Sequence, residues 1–477
     1  VTGLAGRLRE LADVLGVDSG VPSSRIVPAI AAAAGAPSHA VSYLVLAAIH
    51  AEIPRPPAIK PFTRRWRLDG LEPLIRERMA IARLRHVQLP IRIVHGPTLV
   101  DVTDTLASSF TTGIQRVARE TVARWGSAGH DIVLVRWDSR GRRLLTVDAE
   151  SRRGLVGDAP VDPASRRPSI AIPYRTAFVL PEISVRQERT TRLRTIGRYA
   201  AGRTVAIGFD CIPITSAETT GDGMPGAFSK YLSALARFDV IAPISESSAT
   251  EFRGWRRMLA GTGISGPAVE TLELPFTTSG ESDRDRAAAL RHELGLGDDP
   301  IVLSVGSHEP RKNHLSLLHA AERVWRSGER FTLVMVGGNS WDTGRFDWMV
   351  DSLRRRGRPI ITLSRVSDDT IWDLYDMARF SVFCSLNEGF GLPVVESLSH
   401  GTPVITSDFG SMRALGVGHG GLAVPPLDID ALTAAIGRLL RDDDLHAELV
   451  AQTALTPATS WESYADDLWK LAMQSSE

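Results

Sequence analysis

Two carboxylates, two adjacent cations and a Gly-rich turn are the residues of this sequence best suited to chemistry. The apolar run Val382-Phe-Cys384 leads into the loop Asn387-Glu388-Gly-Phe390-Gly391, and a helix then opens on Pro393 and stops before Gly401. Glu388 sits in the loop and Glu396 about a turn inside the helix. The first N–H groups of such a helix have no intrahelical partner and carry the positive end of its dipole. They offer a seat for an anion, flanked by two hydrogen-bond acceptors. A diphosphate with a hydroxylated ring on either side has the matching shape, because an ionised carboxylate accepts from two vicinal hydroxyls at once. Upstream, Ser307-His308-Glu309-Pro310-Arg311-Lys312-Asn313-His314 follows an apolar run that ends at Gly306. Arg311 presents a planar fork and Lys312 a compact point charge, and together they would neutralise a diphosphate. Alone, the pair reads equally well as surface charge on a solvated loop. The carboxylate segment on the same face of the same domain tips it toward function.

Elements of two kinds must position these groups. Residues 1–53 read as helical, with apolar positions at helical spacing in Gly6-Arg-Leu-Arg-Glu-Leu-Ala-Asp-Val-Leu15. From residue 91, strand-like runs alternate with helices: Val100–Asp104, Asp131–Arg136, Thr176–Leu180, Thr204–Gly208 and Val240–Ile244. A polar stretch at 276–299 reads as a linker, and the alternation restarts with Ile301–Gly306, Phe331–Val336, Ile360–Leu363, Phe380–Cys384 and Pro403–Thr406. The fold class is therefore α/β, with two doubly wound parallel sheets. Expected bounds are a helical extension over 1–90, a first Rossmann-like domain over 91–278, a second over 279–459, and a last helix over 460–477 anchored by Trp461, Leu468 and Trp469. Ligands of open parallel sheets bind beyond the carboxyl ends of the strands, which puts the site in the cleft between the domains.

Composition narrows the function. The chain has 477 residues, 43% hydrophobic and 23% charged, with 55 Lys plus Arg against 55 Asp plus Glu. That balance gives no argument for nucleic-acid binding. Cys211 and Cys384 fit neither a disulfide framework nor zinc spacing, which suits a reducing compartment. The best membrane-span candidate, Ala40–Ile49, is far shorter than the roughly 18–20 apolar residues needed. A cytoplasmic protein is expected, with any membrane contact peripheral, at the inner face. Between Lys60 and His86, Lys60, Arg64, Arg65, Arg67, Arg76, Arg78, Arg83 and Arg85 outnumber Asp69, Glu72 and Glu77. The excess could touch anionic head groups or form a solvated helix face. The latter also describes the Arg-rich stretch Arg186, Arg189, Arg192, Arg194, Arg198 and Arg203, unless it attracts an anionic acceptor.

The segment Glu388-Gly-Phe-Gly-Leu-Pro-Val-Val-Glu396, preceded by Glu309-Pro-Arg-Lys-Asn313, resembles the retaining glycosyltransferases of the GT-B fold, family 4, also called group 1. The similarity continues through Val366–Tyr375 and Gly401–Ser407 and covers nearly all of residues 300–445. It implies that Arg311 and Lys312 grip the donor diphosphate, that Glu388 holds hydroxyls of the transferred sugar, and that Glu396 holds the ribose. Backbone amides of Phe390, Gly391 and Leu392 would meet sugar and phosphate. Arg311, Lys312 and Glu388 form the expected catalytic set. Asp101–Asp104 followed by Thr112-Gly113-Ile-Gln-Arg116 resembles the first strand, loop and helix of the family. Gly113 would let backbone approach the phosphate, and Arg116 would add charge or be an ordinary exposed helix residue. Asp101 and Asp104 suggest either a metal pair or strand-end and turn residues. No metal or cofactor is expected, since the family works without one. The sequence departs from the family at Phe209, where many relatives have His before Asp, and at Ala414, where relatives often place Glu. Asp210 contacts acceptor or donor, or caps its loop.

The resemblance implies transfer of a hexose, mannose or another, from a nucleotide-diphosphate sugar to a hydroxyl of a glycan or lipid-linked acceptor, with retention, in polysaccharide or cell-envelope glycan synthesis. In the front-face route proposed for such enzymes the departing phosphate takes the acceptor proton. Two alternatives stand beside this reading: a catalytically silent sugar-nucleotide binder, and a nucleotide-sugar epimerase. The intact Arg311, Lys312, Glu388 and Glu396 set argues against the first, and the lack of evident acid/base residues against the second.

Overall fold

The computed structural model describes residues 3–84, 87–107, 113–157, 168–276, 283–338, 343–455, 457 and 459–474. Arg85 and His86 of the basic stretch, Thr112 before Gly113, the expected boundary at 278/279 and residues 475–477 lie outside them.

Five helices open the chain: Leu4–Val14, Ile26–Ala33, His39–His50, Pro56–Asp69 and Leu71–Arg83. His39–His50 is apolar on every side, and a helix of that kind belongs in an interior. Residues 41–49 are all buried, and Ser38 caps the helix by accepting from the Val41 N–H. The Tyr43 hydroxyl donates to the Pro173 carbonyl at 3.0 Å, tying this helix to the first sheet. The run too short to span a membrane is thus the spine of the helical extension. Among the described residues no helix is long and apolar enough to cross a membrane.

The first sheet contains β1 Ile91–Val94, β2 Thr98–Asp101, β3 Ile132–Trp137, β4 Leu144–Thr146, β5 Ile170–Pro173, β6 Phe178–Leu180, β7 Thr204–Gly208, β8 Val240–Pro243 and β9 Ala268–Val269. Their order is β1-β5-β4-β3-β2-β6-β7-β8-β9. The expectation of a wholly parallel sheet is corrected here, because β4 runs antiparallel to both β3 and β5. A tight turn forces that return. Asp138 Oδ1 accepts from the Arg142 N–H at 2.7 Å, and Gly141 takes φ 61°.

The second sheet is parallel throughout, ordered β12-β11-β10-β13-β14-β15. Its strands are β10 Ile301–Val305, β11 Thr332–Val336, β12 Ile360–Leu363, β13 Phe380–Phe383, β14 Val404–Ser407 and β15 Gly421–Val424. The stretch expected as a linker at 276–299 contains a helix, Arg284–Glu293. Asp283 caps it, accepting from the Asp285 and Arg286 N–H groups. None of its described side chains is fully buried, so it shows no apolar stripe in the sequence.

The two lobes meet through one hydrophobic cluster. Phe209 and Ile244 of the first share it with Phe383, Phe390, Val394, Met412 and Leu415 of the second. The last helix, Trp461–Met473, packs on the helix Gly113–Ser127 of the first lobe. Trp125 Nε1 donates to the Ala465 carbonyl at 2.8 Å, and His130 stacks on Trp469 at 4.0 Å. Trp461 and Leu468 are buried, with Trp469 packed against the same cluster.

Candidate active site

The carboxyl end of β10 turns at Gly306, which takes φ 151°. A Cβ on Gly337 would lie 1.9 Å from the Gly306 carbonyl oxygen, so the neighbouring β11 turn needs glycine too. A single 3-10 turn, Pro310–Lys312, follows and ends at Asn313 with φ 59°. Asn tolerates that left-handed conformation, and its amide here donates to the carbonyls of Cys384 at 3.1 Å and Pro426 at 2.6 Å. The turn is thereby fixed against the end of β13.

Arg311 and Lys312 converge on Glu388. Arg311 Nη1 lies 2.7 Å from Glu388 Oε2, and Lys312 Nζ 2.6 Å from Glu388 Oε1. Arg311 also donates to the Asn387 carbonyl at 2.7 Å and pairs with Glu309 at 2.7 Å. Lys312 sits 5.0 Å over the Phe383 ring. Burial pushes the Glu388 carboxyl up, but Lys312 and Arg311 outweigh it and hold the group at about 2. Glu388 is therefore ionised across the physiological range.

Gly391, with φ 110°, precedes the helix Leu392–Ser399. Pro393 in its first turn gives up an N–H that would be unsatisfied anyway. Glu396 projects from the next turn, where its Oε1 accepts from Arg116 Nη1 at 2.7 Å and its Oε2 from the Tyr375 hydroxyl at 3.2 Å. Phe390 is buried in the interlobe cluster, and Leu392 faces the other lobe. A Cβ on Gly113 would stand 3.1 Å from Leu392 Cδ1, so the Gly113 helix start abuts the first turn of this helix.

The loop before that helix is docked on the first lobe. A Cβ on Gly389 would meet the Phe209 carbonyl oxygen at 2.3 Å and Asp210 Cβ at 3.2 Å. The Ser248 hydroxyl contacts the Phe209 carbonyl at 2.6 Å and the Gly389 carbonyl at 3.0 Å. Asn387 Nδ2 donates to Ser216 Oγ at 3.0 Å. Asp210 thus faces the carboxylate loop while its Oδ1 accepts from the Ile212 N–H at 3.0 Å. Desolvation raises its carboxyl to about 6 against the pull of Arg311.

Two expectations are corrected. Arg116 is no ordinary exposed helix residue: its side chain retains 15% exposure and crosses the cleft. The Arg-rich stretch is not a uniformly solvated face. Arg189 is buried among Asp101 (3.1 Å), Asp104 (2.5 Å) and Glu182 (3.1 Å), and Arg192 is buried with a guanidinium N–H on the Ile53 carbonyl. The carboxylates gathered around Arg189 repay its desolvation. Asp101 and Asp104 accordingly serve this guanidinium, at the end of β2 and in the following turn. Above the cluster a cavity of about 620 Å³ opens beside Thr103, Asp104, Trp137, Arg140 and Arg186.

Sequence reasoning assigned no role to Tyr375, Trp372, Ser245 or Ser248. Tyr375 and Trp372 lie in a helix quoted for its resemblance, but only the fold brings Tyr375 to Glu396 and Trp372 to Arg116. Ser245 signals itself only as the cap of Glu246–Gly261, where it accepts from the Ser248 N–H.

Residues 287–455 match the family model of glycosyl transferases group 1. The chain is 26% identical over 337 residues to the serotype-specific mannosyltransferase WbdA of Escherichia coli, covering 67% of this chain and 40% of that protein. It is 36% identical over 165 residues to O-antigen chain mannosyltransferase B of Escherichia coli, covering 34% and 42%. The chain thus spans about two-fifths of the length of these curated relatives. Among solved structures, HepE of Anabaena in complex with UDP and glucose has a TM-score of 0.58 at 15% identity, over 79% of this chain and 99% of that one. That likeness concerns the fold: two lobes facing across a cleft.

Proposed function

We propose, for a chain that belongs to the group 1 glycosyl transferases and has the GT-B fold, that it moves a hexosyl group from a nucleotide-diphosphate sugar to a hydroxyl of a glycan or lipid-linked acceptor. The observation that carries this reading is the convergence of Arg311, Lys312 and Glu388 within 2.6–2.7 Å beside the start of Leu392–Ser399. Glu388 pairs with both cations, and Glu309 with Arg311 as well. A donor diphosphate would take over their charge and leave Glu388 ionised, with lone pairs for sugar hydroxyls. Glu396 would accept from the ribose.

As the bond from the anomeric carbon to the diphosphate oxygen breaks, charge grows on that oxygen. Arg311, Lys312 and the helix N-terminus stabilise it, and contacts aimed at developing charge are the strongest source of rate. The acceptor oxygen bonds to the anomeric carbon on the face the leaving group vacates, and its proton passes to the departing phosphate. Configuration is retained, and the protein supplies charge in place of a metal ion. Mannose is favoured as the transferred sugar by the names of the two curated relatives, and synthesis of an O-antigen or similar cell-envelope glycan as its setting. Two buried, unpaired thiols, Cys211 and Cys384, fit work on the cytoplasmic side.

One observation favours a second reading, a silent sugar-nucleotide binder. The family resemblance implies His at the position of Phe209, and Phe209 is packed into the interlobe cluster. Incubation with labelled GDP- and UDP-sugars and a lipid-linked glycan acceptor separates the two. Transfer with retained configuration, undiminished by a chelator, supports the transferase. Binding with neither transfer nor hydrolysis supports the binder.

A further inference from the structure

The helical hairpin Pro56–Asp69 and Leu71–Arg83 packs one side on the buried helix His39–His50. Ile59, Phe62, Thr63 and Trp66 form the buried side of its first helix. The opposite side presents Lys60, Arg64 and Arg67, spaced one turn apart and all exposed. Charge across the hairpin is sorted. Each of its three acids is already engaged: Asp69 with Arg65, Glu72 with Arg76, and Glu77 with Arg65 and Arg78. No carboxylate among the described residues pairs with Lys60, Arg64, Arg67 or Arg83. Leu68 and Leu84 stand 78% and 83% exposed at the ends of the hairpin. The root of the hairpin is tied to the rim of the 620 Å³ cavity, through Arg55 on Glu188 and the Ile53 N–H on the Arg142 carbonyl at 3.0 Å.

We propose that the outer face of this hairpin docks on an anionic lipid bilayer, with Lys60, Arg64 and Arg67 among the head groups and Leu68 in the interface. Surplus cations on one face, with exposed leucines beside them, are what an interfacial helix needs. A surface paired internally would gain nothing from anionic lipid, and here Arg65, Arg76 and Arg78 are paired while, among the described residues, Lys60, Arg64, Arg67 and Arg83 have no carboxylate partner. Docking would hold the cavity rim close to the membrane.

The test is co-sedimentation of the full chain with vesicles of phosphatidylcholine alone, or mixed with phosphatidylglycerol. The expected result is binding only to the mixed vesicles, released by high salt because exposed charges are screened. The variant Lys60→Gln/Arg64→Gln/Arg67→Gln should lower the partition coefficient about 100-fold and melt at the wild-type temperature. Three outcomes overturn the proposal: no binding of the wild type to mixed vesicles, equal binding of the variant, or a self-associated wild type that the variant dissociates. Vesicle binding is read without turnover, so its result stands apart from the transferase reading.

Discussion

Arg116 of the first lobe and Glu396 of the second are joined at 2.7 Å, the single salt bridge between the sheet-bearing lobes among the described residues. Trp372 stands 5.3 Å beneath the same guanidinium. Burial raises the Glu396 carboxyl, opposed by Arg116 and by the Tyr375 hydroxyl. The carboxylate proposed to hold the ribose therefore depends on a cation that reaches it only when the lobes are together.

Arg116→Met should weaken binding of the donor nucleotide sugar at least tenfold, about 1.4 kcal/mol or more. Arg116→Lys should restore part of it. The double variant Arg116→Met/Glu396→Gln should be no worse than the poorer single one, because the residues act as a unit. Titration calorimetry on the wild type, the singles Arg116→Met, Arg116→Lys and Glu396→Gln, and the double variant reads the outcome. Wild-type affinity in Arg116→Met would place the ion pair outside the donor site.

Lys312→Ala and Arg311→Ala should each lower kcat by about 100-fold or more, the scale of one lost preorganised electrostatic contact. Their stabilities should differ. Arg311 also ties Glu309 and the Asn387 carbonyl, so its removal should lower Tm more than removal of Lys312. Equal kcat in wild type and both variants would remove the pair from catalysis.

The Arg189 cluster should leave a mark on the pH dependence of stability. Burial, then Asp101, raises the Glu182 carboxyl from 4.5 to about 7, against the pull of Arg189. Between those values the folded protein keeps a proton that the unfolded chain has released, so stability falls as pH rises. The slope contributed is at most about 1.4 kcal/mol per pH unit. Urea unfolding from pH 5 to 7 should show a shallower slope in Glu182→Gln than in the wild type. An unchanged slope would mean that Glu182 does not titrate there.

What could be read in advance was local. The segment from Glu388 to Glu396 carries strand end, turn, helix start and both carboxylates within one short stretch, so neighbouring residues alone define it. The five apolar strands β10, β11, β12, β13 and β14 announce themselves in the same way. Arg189 could not be read, because its partners Asp101, Asp104 and Glu182 come from the end of β2, the short helix after it and the loop after β6. The helix Arg284–Glu293 only half-buries one face, around Ala287 and Leu290, which leaves a weak period. The short strands β4, β5 and β15 owe their existence to neighbours more than to their own pattern. Tyr375 and Arg116 lie in helices that look ordinary until the lobes meet on Glu396.

Gly389→Ala should loosen the interlobe contact, since the added Cβ would stand 2.3 Å from the backbone oxygen of Phe209. The expected result is at least a tenfold fall in kcat/KM and faster amide exchange around Ser245 and Ser248. Gly154→Ala is the contrasting substitution: this helical glycine has nothing within 4 Å of a new Cβ. It should be neutral or stabilising by up to about 1 kcal/mol. Full activity in Gly389→Ala would show that the loop docks differently.

The central claim is that Arg311, Lys312 and the start of Leu392–Ser399 receive a diphosphate. Calorimetric comparison of a nucleoside with its diphosphate tests it most directly, using GDP with guanosine and UDP with uridine. The expected result is that one diphosphate binds wild type at least 100-fold more tightly than its nucleoside, and that Arg311→Ala/Lys312→Ala abolishes most of the difference. Equal affinity of diphosphate and nucleoside for the wild type, or a difference that survives in the double variant, would contradict it.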